Sequence, residues 1–118
     1  LEASGIDMLN ITFSVAPPPE APDGFPLSGM AYGGYLVKQA VTIPVIGVGG
    51  ITDGEAAQTL VGNGYADIAG VARGILADPD FPRKVLSGQP VHKCLSCREC
   101  KWFTDHNKCP ARKKGAVI

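Results

Sequence analysis

Hydrophobic residues along the first 90 positions fall into blocks with two different spacings. Residues 6–12, 43–48 and 66–72 predict three strands, and the continuously apolar 43–48 is typical of a strand buried on both faces of a parallel sheet. Residues 30–41 and 52–64 instead place apolar side chains at helical spacing. This alternation predicts repeated β–α units with parallel strands and right-handed crossovers. A doubly wound sheet and a TIM barrel both satisfy it.

Local residue choices predict where the later helices begin and end. Thr52 and Glu55 have capping-box spacing, which predicts that the second helix begins at Thr52. Asp78 as N-cap and Pro79 at the first helical position predict a further helix, which Gly88 would end. The alternation of strands and helices is therefore expected to continue to about residue 88.

A proline-rich segment at residues 16–29 separates the first predicted strand from the first predicted helix. Proline lacks a backbone N–H, so this segment cannot form a helix interior or a central strand. Loops longer than about 12 residues are uncommon in compact domains and often cover a functional site. We therefore expect a functional loop here.

Charge divides the chain near residue 90. The 118 residues are neutral overall, but residues 1–92 carry four Lys or Arg and nine Asp or Glu, a net charge of −5. Residues 93–118 carry seven and two, a net charge of +5, together with all four cysteines. We therefore predict an α/β part at residues 1–90 and a basic, cysteine-rich tail at residues 91–118.

No sequence feature indicates a membrane protein. The apolar runs stay far below the roughly 20 residues that a bilayer-spanning helix needs, and no signal peptide opens the chain. We therefore expect a cytoplasmic protein without a membrane partner. The basic tail carries no recognised nucleic-acid-binding motif, so a nucleic-acid partner is not expected either.

The second and third predicted strands are followed by residues suited to an anion. Gly49 and Gly50 follow the second strand; Ala72, Arg73 and a short predicted turn at residues 75–78 follow the third. Glycine lets backbone N–H groups approach a phosphate, and arginine supplies a permanent, bidentate charge. Ordinary turns and a surface arginine would explain either loop alone. Because the loops lie one β–α unit apart, as in the phosphate site of many TIM barrels, we expect phosphate binding.

Residues 43–84, IPVIGVGGITDGEAAQTLVGNGYADIAGVARGILADPDFPRK, closely resemble the C-terminal part of the Old Yellow Enzyme-like NADH:flavin oxidoreductases. That family pairs a VGGI-type turn after barrel strand 7 with a GR pair after strand 8. The resemblance extends over about residues 1–90 and implies a partial TIM (β/α)₈ barrel of strands 6 to 8, which binds FMN. The residues that would meet the FMN phosphate are Gly49, Gly50, Ala72 and Arg73, with Ala72 standing where the family has glycine.

The basic tail holds four cysteines as CxxCxxC followed by a later Cys-Pro. Nothing indicates secretion and three of the cysteines are only three residues apart, so disulfides are not expected. Zinc is possible, although Cys₄ zinc sites usually pair two CxxC motifs. The observed pattern is closer to [4Fe–4S] sites. The candidate metal ligands are Cys94, Cys97, Cys100 and Cys109.

The family resemblance favours iron–sulfur over zinc. The branch similar to 2,4-dienoyl-CoA reductase and trimethylamine dehydrogenase carries a cysteine cluster just after the last barrel helix, and that cluster relays single electrons to FMN. The CxxCxxC spacing here matches, with a shorter gap to the fourth cysteine. The resemblance therefore implies a [4Fe–4S] cluster, with zinc as the alternative. His92 and His106 flank the cysteines and are expected to be solvated.

The resemblance implies an enzyme only as part of a larger barrel. A complete TIM barrel takes about 250 residues, whereas this chain accounts for three strands. We therefore expect a fragment, inactive alone, that associates with another copy or with the missing part of the barrel. Catalytic residues cannot be assigned. The parent enzyme would use FMN and NAD(P)H to reduce an activated C=C bond of a small unsaturated substrate, while some relatives oxidise amines.

Two other functions are compatible with parts of the pattern. A zinc-stabilised module could bind a phosphorylated ligand without redox chemistry. A phosphate-binding isomerase or synthase barrel would share the loops after strands 7 and 8. The cysteine cluster argues against the second of these.

Overall fold

The computed structural model describes residues 1–113. In chain order, its strands and α-helices over those residues are β1 (Leu9–Asn10), α1 (Gly29–Ala40), β2 (Val45–Val48), α2 (Gly54–Gly62), β3 (Ile68–Gly70), α3 (Arg73–Ala77), α4 (Phe81–Leu86) and α5 (Pro110–Lys113). Short 3₁₀ helices lie at Glu2–Ser4, Lys101–Phe103 and His106–Lys108. Within the described residues, no helix is long and apolar enough to cross a membrane.

The residues divide into two compact units. The first comprises Leu1–Gly50 and Ala57–Gly70, and the second comprises Ile51–Ala56 and residues 71–113. The first unit holds all three strands and α1, and the second holds α3, α4 and the four cysteines.

The first unit is built on a three-stranded parallel sheet with the order β1-β2-β3. Leu9 pairs with Val45 between β1 and β2, and Gly47 pairs with Ala69 between β2 and β3. The helix α1 connects β1 to β2 and packs against β2. The predicted α/β alternation and the parallel strands are therefore confirmed.

Each strand is shorter than its apolar run, and β2 shows why. Pro44 has no N–H to donate, so it contributes only its carbonyl, which accepts from the Leu9 N–H at 3.0 Å. The Val45 N–H donates instead to the Asp67 carboxylate at 2.9 Å. The regular ladder of β2 consequently begins at Val45 rather than at residue 43.

The core of the first unit depends on a glycine in the central strand. Leu60 of α2 and Val45 of β2 are fully buried, and Ala66 is 2% exposed. A Cβ atom added at Gly47 would lie 2.8 Å from the Ala66 Cβ and 3.0 Å from a Leu60 methyl. Gly47 therefore lets these apolar side chains approach the sheet backbone.

An aromatic cluster holds the proline-rich segment against α1. The Phe25 ring lies 5.2 Å from the Tyr32 ring and 4.8 Å from the Tyr65 ring, measured between centroids. Edge-on and tilted contacts at these separations are favourable for aromatic pairs. The predicted loop at residues 16–29 contains no strand or helix before Gly29, as expected from its prolines.

The predicted cap of α2 is wrong by one residue. The Asp53 carboxylate, not the Thr52 hydroxyl, accepts from the Ala56 N–H, at 2.8 Å. Aspartate is a stronger N-cap than threonine, and its second oxygen is free to bind Lys93 at 2.7 Å. Asp53 therefore both caps the helix and forms an ion pair.

The predicted boundaries around residues 73–88 also need correction. Residues 75–78, predicted as a turn, belong largely to the helix α3. The next helix, α4, begins at Phe81 after Asp80, not after Asp78. The Asp78 carboxylate accepts from the Asp80 N–H in the turn before α4 with one oxygen, and from Lys84 and the His92 N–H with the other. Gly88 follows α4 with a φ of 69°, as predicted for a residue just past a helix end.

Candidate functional site

The turn after β2 requires glycine at both predicted phosphate-loop positions of the first unit. Gly49 and Gly50 have φ values of 107° and 72°, in the region that side chains disfavour. A Cβ atom at Gly49 would also lie 2.7 Å from the Met30 Cβ and 2.8 Å from the Ser28 Oγ. The backbone conformation of the turn thus accounts for these glycines without a ligand.

Ser28 fixes this turn to the start of α1. Its hydroxyl donates to the Gly49 carbonyl at 2.8 Å and accepts from the Ala31 N–H at 3.2 Å, as the N-cap of the helix. One side chain therefore sets both the helix start and the path of the glycine turn. The sequence analysis missed Ser28, although a serine before a predicted helix is a recognisable capping signal.

The second predicted phosphate loop leads directly into α3. Arg73 is the first residue of α3 and Ala72 its N-cap, and both are exposed. Gly74 is buried, and a Cβ atom there would lie 2.7 Å from a Val71 methyl and 3.0 Å from the Ile51 carbonyl. The packing of Gly74 therefore fixes the loop while Arg73 stays accessible.

The four predicted phosphate residues fall into two pairs of sequence neighbours, one pair in each unit. Gly49 and Gly50 belong to the first unit, and Ala72 and Arg73 belong to the second. Within the second unit, the Arg73 guanidinium approaches the Cys97 carbonyl at 3.5 Å. Arg73 thus stands next to the cysteine-containing segment, a neighbour that the sequence analysis did not predict.

All four predicted metal ligands line one pocket of the second unit. Cys94, Cys97, Cys100 and Cys109 share this pocket with residues of α3 and with Trp102. All four are free thiols; Cys109 is buried and the other three are half-buried. Within residues 1–113, however, no three His, Cys, Asp or Glu side chains are positioned to hold one metal ion. The pocket gathers the cysteines without forming a coordination sphere.

The segment between the first two cysteines has a distinctive backbone. Ser96 has a φ of 52°, and no other non-glycine among the described residues has a positive φ. The Ser96 N–H donates to the Cys94 Sγ at 3.4 Å. Non-glycine residues adopt this conformation at a cost of about 1 kcal/mol or more. The turn therefore directs a backbone donor at a sulfur atom, as thiolate ligands require.

A small apolar cluster surrounds the pocket. Ala77 of α3, Cys109 and Ala111 of α5 are buried together, and Cys94 and Trp102 pack against them. This packing joins the two ends of the cysteine-containing segment to α3. The pocket is therefore part of the core of the second unit.

Two buried carboxylates fix the residues that precede the first cysteine. Burial disfavours ionisation of Asp78, but hydrogen bonds from Lys84 at 2.7 Å and the His92 N–H at 3.0 Å outweigh it and lower its pKa. Burial likewise opposes ionisation of Asp53, yet its hydrogen bond from Lys93 leaves the Asp53 pKa lowered. Both carboxylates therefore stay charged. Asp78 holds the chain at His92 and Asp53 holds it at Lys93.

Neither histidine lies in the pocket. His92 Nδ1 is 3.3 Å from the Ala111 carbonyl and His92 is half-buried, whereas His106 is exposed. The expectation of solvated histidines is thus met for His106, and His92 is bound to the backbone of α5 instead.

The region that carries both predicted phosphate loops matches a known protein family. The model of the NADH:flavin oxidoreductase / NADH oxidase family matches residues 30–92. That is more than half of the chain. The chain belongs to this family. The resemblance drawn from residues 43–84 is confirmed, and this family member carries an α/β segment with a parallel sheet.

Curated relatives extend the match beyond the family model. A metal reductase from Desulforamulus reducens is 35% identical over 103 residues, which cover 84% of this chain and 15% of the relative. An NADH oxidase from Thermoanaerobacter brockii is 34% identical over 102 residues, 82% of this chain and 16% of the relative. A dimethylamine dehydrogenase from Hyphomicrobium is 39% identical over 66 residues, 54% of this chain and 9% of the relative. The chain thus spans about a sixth of the first two relatives.

Proposed function

We propose that this chain is the C-terminal portion of an FMN-dependent NAD(P)H oxidoreductase. The observation that carries the proposal is the family match over residues 30–92, which includes both glycine-containing loops. The names of two relatives fit redox chemistry: bilirubin reductase, and NADH oxidase, which also names a nicotinamide donor. In the proposed whole protein, β1 to β3 correspond to barrel strands 6 to 8, and an activated C=C bond is the group reduced.

The proposed role of the two loops is to hold the FMN phosphate. Gly49 and Gly50 expose backbone at the carboxyl end of β2, and Arg73 is an exposed guanidinium just after β3. In parallel α/β folds, ligands bind beyond the carboxyl ends of the strands. FMN, when bound, would carry hydride between the nicotinamide and the substrate. The chain's own contribution is to anchor the phosphate.

The proposed role of the cysteine pocket is to hold a [4Fe–4S] cluster. Four thiols facing one pocket, with a backbone N–H directed at the Cys94 Sγ, suit a group that binds through thiolates. Residues 1–113 contain no preformed metal site. Metal binding can itself bring ligands together, so we propose that the four thiols adopt their coordinating positions when the cluster binds. Such a cluster, when bound, would transfer single electrons to or from the flavin. Zinc has the same donor preference, so metal analysis must distinguish the two.

The phosphate role is tested with two flavins and two arginine variants of the complete protein. FMN and riboflavin share the ring system and differ in the phosphate, so their affinities isolate its contribution. Arg73→Ala should weaken FMN binding about 10- to 100-fold, which corresponds to the loss of one hydrogen bond to a charged group. Riboflavin binding should stay unchanged.

The matched control is Arg83→Ala. Arg83 lies on α4 with its side chain 68% exposed and paired with Asp80. Its removal should leave both flavin affinities at the wild-type level, as measured by quenching of flavin fluorescence. Equal losses for FMN and riboflavin in Arg73→Ala, or no loss for either, would argue against the phosphate site.

A further inference from the structure

Two buried side-chain nitrogens among residues 1–113 lack any hydrogen-bond partner, and both belong to the second unit. They are Trp102 Nε1 and Arg112 Nε. Both are donors, and an unpaired buried donor costs about 1–3 kcal/mol. Arg112 compensates in part, since its terminal nitrogen donates to the Leu76 carbonyl at 2.9 Å. The Trp102 side chain has a single N–H group, so no other hydrogen bond from this side chain can compensate for the unpaired one.

Trp102, whose indole N–H is unpaired, forms part of the wall of the cysteine pocket. Trp102 lines that pocket together with the four cysteines, and it packs against the buried cluster of Ala77, Cys109 and Ala111. The 3₁₀ helix Lys101–Phe103 begins directly after Cys100, which fixes the indole beside a predicted ligand. The neighbouring Phe103 is 73% exposed and contacts the Trp102 ring edge-on at 5.7 Å.

The side-chain acceptors that this pocket offers are the sulfur atoms of its four cysteines. Its lining is mostly apolar apart from the cysteines and the long side chains of Arg73 and Lys101, which are donors. A buried indole N–H beside such a pocket can be satisfied by a thiolate or sulfide sulfur held there. The same reasoning applies to the Ser96 N–H, which already points at the Cys94 Sγ.

We propose that the Trp102 indole N–H donates a hydrogen bond to a sulfur atom of the metal group held by the four cysteines. This inference rests on the proposed metal-binding function of the pocket. Hydrogen bonds to sulfur stabilise the more negative, reduced state of an iron–sulfur cluster and so raise its reduction potential. Trp102 would therefore set how easily the cluster accepts an electron.

The test is a redox titration of the anaerobically purified complete protein, followed by electron paramagnetic resonance. Trp102→Phe removes the donor and keeps an aromatic ring, so its midpoint potential should shift to a more negative value. Phe103→Leu removes the exposed neighbour and should leave the potential unchanged. A wild-type potential in Trp102→Phe with full iron content would overturn the proposal.

A second variant is needed in case Trp102→Phe fails to assemble the cluster, since no potential can then be measured. Trp102→His retains a ring N–H donor; cluster assembly in Trp102→His but not in Trp102→Phe would support the hydrogen bond. Loss of the cluster in both variants would show that Trp102 acts through packing alone and would overturn the proposal.

Metal analysis distinguishes failure of the iron–sulfur assignment from failure of the proposed Trp102 hydrogen bond. If the protein holds zinc, the assignment fails, and the hydrogen bond is then tested by cobalt(II) substitution. Its thiolate-to-cobalt charge-transfer band should shift between wild type and Trp102→Phe. An unshifted band would overturn the role of Trp102 even though the cysteines bind metal.

Discussion

Asp78 connects three parts of the second unit through one buried carboxylate. Its side chain is 3% exposed and accepts from Lys84 Nζ and the His92 N–H on one oxygen and from the Asp80 N–H on the other. A buried carboxylate is stable only when it is paired and hydrogen-bonded in this way. Asp78 therefore links the start of α4 to the chain that leads into the cysteines.

Asp78→Asn should destabilise the protein by about 2 kcal/mol. The amide has a single acceptor oxygen, so its NH₂ group must face donors whichever way it is oriented: Lys84 and His92, or Asp80. Urea denaturation of the complete protein measures the loss. Asp80→Asn is the control, since its ion pair with Arg83 is exposed and should cost less than about 1 kcal/mol. Equal effects of the two variants would contradict the role given to Asp78.

At the residue scale, the sequence predicts the glycine turn after β2, which the positive φ values of Gly49 and Gly50 confirm, while the phosphate and metal roles stay predictions. The glycines at 49 and 50 and the cysteine spacing are recognisable without a structure. The caps Thr52 and Asp78 were predicted wrongly, and for Thr52 the choice between neighbouring side chains depends on a distant partner. Asp53 also binds Lys93, 40 positions away, and Asp78 is held by His92. The buried indole N–H of Trp102 likewise becomes visible only once the second unit is folded.

At the scale of elements, hydrophobic spacing predicted every strand and the helices α1 and α2. It could not predict strand length, because pairing ends where a partner atom is missing or bound elsewhere, as at Pro44 and Val45. It also missed α3, whose five residues are too few to show a helical period. Short elements are held by packing, here by the buried Gly74 and Ala77, rather than by their own pattern.

The close packing of α2 on the sheet predicts a contrast between two glycines. Gly47→Ala should destabilise the protein by about 1–3 kcal/mol, because the new methyl would overlap Ala66 and press on Leu60. Gly62→Ala should be neutral or stabilising by up to about 1 kcal/mol. Gly62 lies in α2, has an ordinary φ, and its new methyl would meet only Gln58 at 3.5 Å. Thermal or urea unfolding measures both.

A reversed order of these two variants would contradict the packing of α2 on β2. Equal destabilisation would likewise show that the restricted space around Gly47 does not distinguish the two positions.

For the whole molecule, lowered carboxyl pKa values predict sensitivity to acid. Asp53 and Asp78 both have pKa values below the ordinary 3.8. Their charged forms therefore favour the folded state above that value, and this contribution is lost as the pH falls through the lowered pKa values. The free energy of unfolding should decrease from about pH 5 downward.

Asp78→Asn provides the check on this pH dependence. Denaturation curves between pH 7 and acid should show a shallower decline for the variant, because one of the groups that binds a proton on unfolding is gone. A slope equal to wild type would mean that Asp78 does not titrate differently in the folded and unfolded protein.

The central proposal for the whole molecule is that the basic tail holds an iron–sulfur cluster and that the loops after β2 and β3 anchor a flavin. The most direct measurement is the visible absorption spectrum of the anaerobically purified complete protein, combined with analysis of iron, acid-labile sulfide, zinc and flavin. The account predicts about four iron and four sulfide per chain, together with bound FMN and a broad absorption that bleaches on reduction. About one zinc per chain, with no sulfide and no visible absorption, would contradict it.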